Sequence, residues 1–231
     1  MNTSFATAES NLANVGGLLS RVRSIAAAAA PHDVVALNAG AGTSDEVESM
    51  VSRAHSNITF DRVDVVDATV DHPAVRNTWR CSVESMPMVD DAAYDVVVAN
   101  YLLEHVHDIA AALSEFNRVL RPGGCCILTV PNPIAPEFLV ARFTPTVFHR
   151  RFYPNAFETH YSFRSIGALV EAARRSGLET TEIVYGPDVG VYLGRFIPRL
   201  APLGRLYDQL ALGLRIRSLL GHCLLSLRRV E

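Results

Sequence analysis

Gly40, Gly42 and Asp64 have the residue types and spacing of a device that holds a nucleoside. The two glycines lie in Asn38-Ala-Gly-Ala-Gly-Thr-Ser44, directly after the apolar run Asp33 to Leu37. Lacking Cβ atoms, they adopt backbone angles that other residues avoid and let a ligand approach the main chain. Asp64 comes 22 residues after Gly42, in a second apolar run, Ile58 to Val66. An acid about 20 residues beyond such a turn can accept both hydroxyls of a ribose diol. A glycine pair alone would serve equally as a tight strand-to-helix turn, so the distant acid matters.

The residues after the glycines discriminate between cofactors. Dinucleotides sit on a GxGxxG turn whose third glycine lets the helix pack close beneath a pyrophosphate. Here Gly42 is followed by Thr43, Ser44, Asp45 and Glu46, with no third glycine and two acids at the helix start. Those acids would repel a pyrophosphate. A cofactor bearing a sulfonium and an ammonium group meets no such repulsion, so the turn favours S-adenosylmethionine over NAD.

The chemistry such a cofactor offers is transfer of its sulfonium methyl, a direct displacement helped mainly by holding nucleophile, methyl carbon and sulfur in line. A general base contributes where the acceptor has a proton to lose. Three histidines are candidates. His105 follows a fourth apolar run and reads either as a base or as a structural histidine of the Glu104-His105 turn. His149 and His160 lie in residues 134–161 among Phe143, Phe148, Phe152, Phe157, Tyr153 and Tyr161. That mixture suits a lid over a flat apolar acceptor, or equally a small hydrophobic subcore. Neither a metal-ligand spacing nor a GxSxG nucleophile turn is present.

These residues need a scaffold, and strand and helix patterns alternate through residue 133. Helix is expected over residues 11–29, 45–55, 102–120 and 162–176. Strands are expected at 33–37, 58–66, 78–83, 94–99, 125–130 and 179–185. Arg121-Pro-Gly-Gly124 marks the end of the third helix. The alternation predicts an α/β, doubly wound, mostly parallel sheet with helices on both faces. Residues 134–161 fit neither period and read as an insertion covering a site.

From Val34 to Asn132 the chain resembles class I S-adenosylmethionine-dependent methyltransferases of the ubiquinone/menaquinone-biosynthesis type. Five segments carry the likeness in order: the glycine-rich turn, Val63-Asp64, Glu84-Ser-Met-Pro-Met88 leading into Tyr94–Val98, Leu103-Glu-His-Val106, and Arg118–Gly124 with Thr129-Val-Pro-Asn132. The resemblance implies a seven-stranded Rossmann-like sheet and S-adenosylmethionine as cofactor. It places Asn38, Gly40, Gly42, Asp64, Ser82, Val83, Glu84 and Asn100 around that cofactor. Asn38 and Ser82 stand where the family commonly has acids, and Ser44 where it has a glycine. These departures leave a second reading open, a binding or accessory protein that keeps the fold without turnover.

The whole chain balances 21 basic against 24 acidic residues, with no lysine, and gives no sign of nucleic-acid binding. Residues 1–190 are expected as the methyltransferase domain and residues 191–231 as an arginine-rich amphipathic helical extension. That extension holds seven arginines against Asp208 and Glu231, with Leu206, Tyr207, Leu210, Leu214, Leu224 and Leu227 at near-helical spacing. Peripheral contact with an anionic membrane and packing, within the chain or as a homodimer, are both open. The four cysteines form no CxxC pair, Cys125 and Cys126 sit inside an apolar run, and no leader is apparent, so reduced thiols and a cytoplasmic protein are expected. The expected partner is a small-molecule acceptor, apolar or aromatic, methylated on O, N or C.

Overall fold

The computed structural model describes residues 2–5, 15–143, 159–160 and 162–230. Its strands are β1 (Asn2–Phe5), β2 (Val34–Ala39), β3 (Ile58–Asp64), β4 (Val75–Arg80), β5 (Tyr94–Asn100), β6 (Leu120–Pro131), β7 (Leu178–Gly186) and β8 (His222–Arg229). They form one sheet in the order β1-β7-β8-β6-β5-β2-β3-β4. β8 runs antiparallel to β6 and β7, and every other pairing is parallel. Strands covered on both faces read as continuous apolar runs, and Val96, Val97 and Val98 of β5 are fully buried.

Helices cover both faces of this sheet. On one side lie α1 (Val15–Ala29) and α2 (Glu46–Ser52), whose Leu18, Val22, Val47 and Val51 pack with Ala36, Val98 and Ile127. On the other lie α3 (Ile109–Val119) and α5 (Ile166–Arg175), packing Leu113, Phe116 and Leu169 with Leu37, Val97 and Leu128. Their N-termini are closed by side chains: Asp108 accepts from the Ala111 N–H, and Ser165 from that of Ala168. Three further helices are α4 (Pro136–Phe143), α6 (Val189–Phe196) and α7 (Ala201–Leu214), the last packing Ala211 into the same core as α3 and α5.

The doubly wound parallel architecture is as expected, with eight strands instead of seven. The additional strand, β1, is four residues long and pairs only with β7 among the described residues. The expected 102–120 helix is a 3-10 turn at Leu103–His105 followed by α3, because Asp108 starts a new helix by capping it. The larger correction concerns the C-terminal segment. α6 and α7 make its first part helical as expected, whereas Leu224 and Leu227, read at near-helical spacing, are buried in β8. β8 fills the position between β6 and β7, so that part of the segment completes the core.

From β2 the chain proceeds to β3 and β4 on one side, then returns to place β5 and β6 on the other. The order reverses between β2 and β5, and ligands of open α/β sheets bind beyond the strand ends at such a point.

Candidate active site

The glycine-rich turn leaves β2 at that reversal. Gly40 and Gly42 have φ of +69° and +59°, a region that excludes most L side chains. A Cβ on Gly40 would lie 2.6 Å from Cδ1 of Leu102, so the β5 connection packs directly on the turn. A Cβ on Gly42 would meet nothing within 4 Å among the described residues, so the turn is open there. The Asp64 carboxylate accepts the Gly42 N–H at 2.8 Å through Oδ2 and the Val66 N–H at 3.0 Å through Oδ1. Each oxygen keeps a lone pair for a further donor.

The turn is anchored from below by a fully buried arginine. Arg62 pairs with Glu48 at 2.6 Å and donates to Ala68 O at 2.8 Å. Its other terminal nitrogen donates to the carbonyls of Ala41, Gly42 and Ser44 at 3.2, 3.0 and 3.0 Å. Asn38 also belongs to this network, its Nδ2 donating to Glu48 Oε1 at 2.8 Å. An acid at position 38 would set two carboxylates against each other in a buried site, which gives the asparagine a physical reason.

The remaining expected cofactor-binding residues spread along the same sheet edge. Ser82 Oγ accepts the Glu84 N–H at 3.2 Å, and Val83 is buried in the core beside Met86. Glu84 Oε1 accepts the backbone N–H groups of His107 and Asp108 at 2.6 and 2.9 Å, tying the post-β4 loop to the start of α3. Asn100 ends β5, where its Oδ1 accepts the Thr129 hydroxyl at 2.6 Å.

Of the three histidine candidates, His149 lies outside the described residues. His105 closes the 3-10 turn, its N–H bonded to Leu102 O. The backbone N–H of His160 donates to Glu104 O at 2.9 Å, and its ring lies 3.7 Å from that of His107. Thus Glu104 and His160 come together, although they are distant in sequence. The Glu104 side chain is buried, and burial pushes its carboxyl up to about 8. Its Oε2 has no hydrogen-bond partner among the described residues.

Three residues missed by sequence reasoning meet at the same edge. The Tyr101 hydroxyl lies 2.9 Å from Nδ1 of His222, whose Nε2 lies 2.6 Å from Oδ1 of Asp188. They are separated by 121 residues at one link, so no local pattern reveals them. Beside them Glu137, both of whose oxygens lack partners among the described residues, has its carboxyl pushed up by burial to about 7. No group of three histidine, cysteine or acidic residues among the described residues is arranged to hold a metal ion.

A family model described as a methyltransferase domain matches residues 16–183. The chain belongs to the methyltransferase domain family. Its relatives in this family include a protein of Mycolicibacterium smegmatis named "Probable S-adenosylmethionine-dependent methyltransferase", 33% identical over 123 residues, which cover 53% of this chain and 46% of the relative. A ubiquinone biosynthesis O-methyltransferase of Thiobacillus denitrificans is 29% identical over 114 residues, covering 48% of this chain and 49% of that protein. The match therefore spans about half the length of these curated relatives. Among solved structures, the cyclase SpnF shares the fold with a TM-score of 0.61 at 17% identity, over 100% of this methyltransferase-family chain and 87% of its own.

Proposed function

We propose that the chain uses S-adenosylmethionine to methylate a small, apolar or aromatic acceptor. The observation that carries this reading is the Asp64 carboxylate bonded to Gly42 N–H beside the open side of the turn. Asp64 would hold the ribose diol, and Gly40 and Gly42 would let the methionine portion lie against the main chain. Asn38, Ser82, Val83, Glu84 and Asn100 line the same edge, with Glu84 and Asn100 acting through the backbone and Thr129. When bound, the cofactor supplies an electrophilic methyl group on a sulfonium. The chain's part is to exclude water, align the acceptor and remove any proton it loses.

Calorimetry with S-adenosylmethionine and its demethylated product tests the reading, and binding of both at micromolar concentrations is expected. Absence of binding would favour the alternative of an accessory protein without turnover.

The face of α7 supports a peripheral contact. Leu203, Leu206, Leu210 and Leu214 are exposed along it, and Arg199, Arg205, Arg215 and Arg217 are exposed around it. The single acid of residues 191–220, Asp208, is turned inward, accepting the N–H groups of Val189 and Gly190. Exposed leucines flanked by arginines suit an anionic membrane surface, and a second copy of the chain is the other occupant. Among the described residues no helix is long and apolar enough to cross a membrane. Within this proposal the protein is cytoplasmic and the α7 face is its peripheral contact.

A further inference from the structure

Tyr101, His222 and Asp188 come from three different strand ends that meet at one point. Tyr101 is the first residue beyond β5, Asp188 lies two residues beyond β7, and His222 opens β8. Because β8 is antiparallel, its first residue sits at the same edge as the last residues of its neighbours, opposite Pro131 and Gly186. This point lies on the β6 side of the glycine-rich turn, beside the cofactor crevice. Tyr101 adjoins Leu102, the residue packed on Gly40.

Tyr101 is held there against a backbone cost. Its φ is +50°, unusual for an aromatic residue, and its N–H is shared between the Thr129 carbonyl at 3.0 Å and hydroxyl at 3.2 Å. Such outliers persist where the surroundings fix them, and they concentrate at functional sites. The imidazole is fixed too: Oδ1 of Asp188 faces Nε2, so the neutral ring that donates there presents Nδ1 as acceptor to the tyrosine hydroxyl. The Phe138 ring meets the imidazole edge-on at 6.2 Å.

We propose that Tyr101, His222 and Asp188 form a proton relay serving the methyl acceptor, and that the acceptor is therefore one with an acidic O–H, a phenol or an enol. The inference rests on the methyl-transfer reading above and adds the acceptor class to it. The acceptor oxygen bonds to the methyl carbon as the carbon–sulfur pair stays with sulfur. Its proton passes to the Tyr101 oxygen, while the proton of Tyr101 passes to Nδ1 of His222. The imidazolium so formed is balanced by Asp188. The acceptor leaves as its methyl ether, and solvent later takes the extra proton from the imidazole. Proton exchange between two phenolic oxygens needs little driving force, which is why an O–H acceptor matches a relay that ends in tyrosine.

The groups facing the relay leave it a distinct role. Glu137 on α4 and Glu104 on the 3-10 turn have carboxyls pushed up by burial, while Asp208 on α7 is occupied by two backbone N–H groups. Asp188 is the carboxylate bonded to the imidazole.

The test uses full-length protein, a panel of simple phenols, a matched panel of proton-free thioethers and tertiary amines, and S-adenosylmethionine labelled in its methyl group. The relay predicts transfer to phenols by the wild type, about 100-fold or more slower in Tyr101→Phe and His222→Gln. Cofactor affinity should stay near wild type in both variants, which separates a lost relay from a lost fold. Ring-nitrogen NMR of unligated protein should show neutral His222 protonated on Nε2, a preference lost in Asp188→Asn. A neutral imidazole protonated on Nδ1, transfer confined to the proton-free panel or seen with neither panel, or full turnover in both variants would overturn the relay. Wild-type protein that binds no S-adenosylmethionine would instead overturn the underlying reading, so the two failures are distinct.

Discussion

Arg62 and Glu48 form an ion pair in which both side chains are fully buried, 2.6 Å apart, directly beneath the glycine-rich turn. Burying two charges is costly, and the pair is retained here with the arginine also binding three turn carbonyls. Removing one partner strands the other. Arg62→Met should destabilise the fold by about 3–5 kcal/mol in urea unfolding, and the double variant Arg62→Met with Glu48→Leu should recover part of that loss. A single variant as stable as wild type would show that the pair is dispensable.

Asp64 has two roles that a pair of substitutions separates. Its oxygens hold the N–H groups of Gly42 and Val66 in the free protein, and they are assigned the ribose hydroxyls in the complex. Asp64→Ala should cost roughly 1.5–3 kcal/mol for each ribose hydrogen bond removed, read as weaker S-adenosylmethionine binding by calorimetry. Asp64→Asn keeps the shape and should lose less. Equal affinity in all three proteins would place the ribose elsewhere.

The two glycines should respond unequally to alanine. Both have positive φ, so each substitution costs about 1–2 kcal/mol for the left-handed backbone. Gly40→Ala must also displace Leu102, whose Cδ1 would lie 2.6 Å from the new methyl, whereas Gly42→Ala points into open space. Gly40→Ala is therefore the more destabilising in thermal unfolding. Gly42→Ala should show its larger effect on cofactor affinity.

Glu104 makes stability depend on pH in a definite direction. Burial raises its carboxyl from the ordinary 4.5 to about 8. Between those values the folded protein keeps a proton that the unfolded chain has lost, so stability falls as pH rises through that window. Glu137, raised to about 7, acts with the same sign. Denaturant unfolding at pH 5 and pH 8 should show a smaller fall for Glu104→Gln than for wild type, by on the order of a few kcal/mol. Parallel curves would mean that Glu104 ionises freely.

The leucine face of α7 can be tested without disturbing the sheet. Leu206→Glu with Leu210→Glu replaces two exposed side chains and should abolish co-sedimentation with anionic vesicles while leaving S-adenosylmethionine binding intact. Retained sedimentation would contradict membrane docking. Loss of a dimer in light scattering would assign the face to a second copy.

Much of the sheet and its glycine-rich turn was legible in the chain because their signals are local. The apolar runs became β2, β3 and β5, the glycines adopted positive φ, and Asp64 reached back to the turn. The Tyr101–His222–Asp188 cluster was not, because it is assembled from strand ends far apart in sequence. Leu224 and Leu227 lie three residues apart, a spacing that suits a helix as well as a strand buried on both faces. Arg62 offered an unused signal: a charge inside an apolar strand pattern demands a buried partner, and Glu48 supplies it. β1 has four residues and no period to detect.

The position of β8 sets an order of assembly. During synthesis β6 and β7 both emerge before the strand that joins them, which starts only at His222. Until residues 222–229 are available, each of the two presents an unpaired edge, the kind of surface that recruits wrong partners. The same insertion brings His222 to Tyr101 and Asp188. Completion of the sheet and assembly of the Tyr101–His222–Asp188 cluster are thus one event, and a chain that stops short of His222 holds the glycine-rich turn without that cluster.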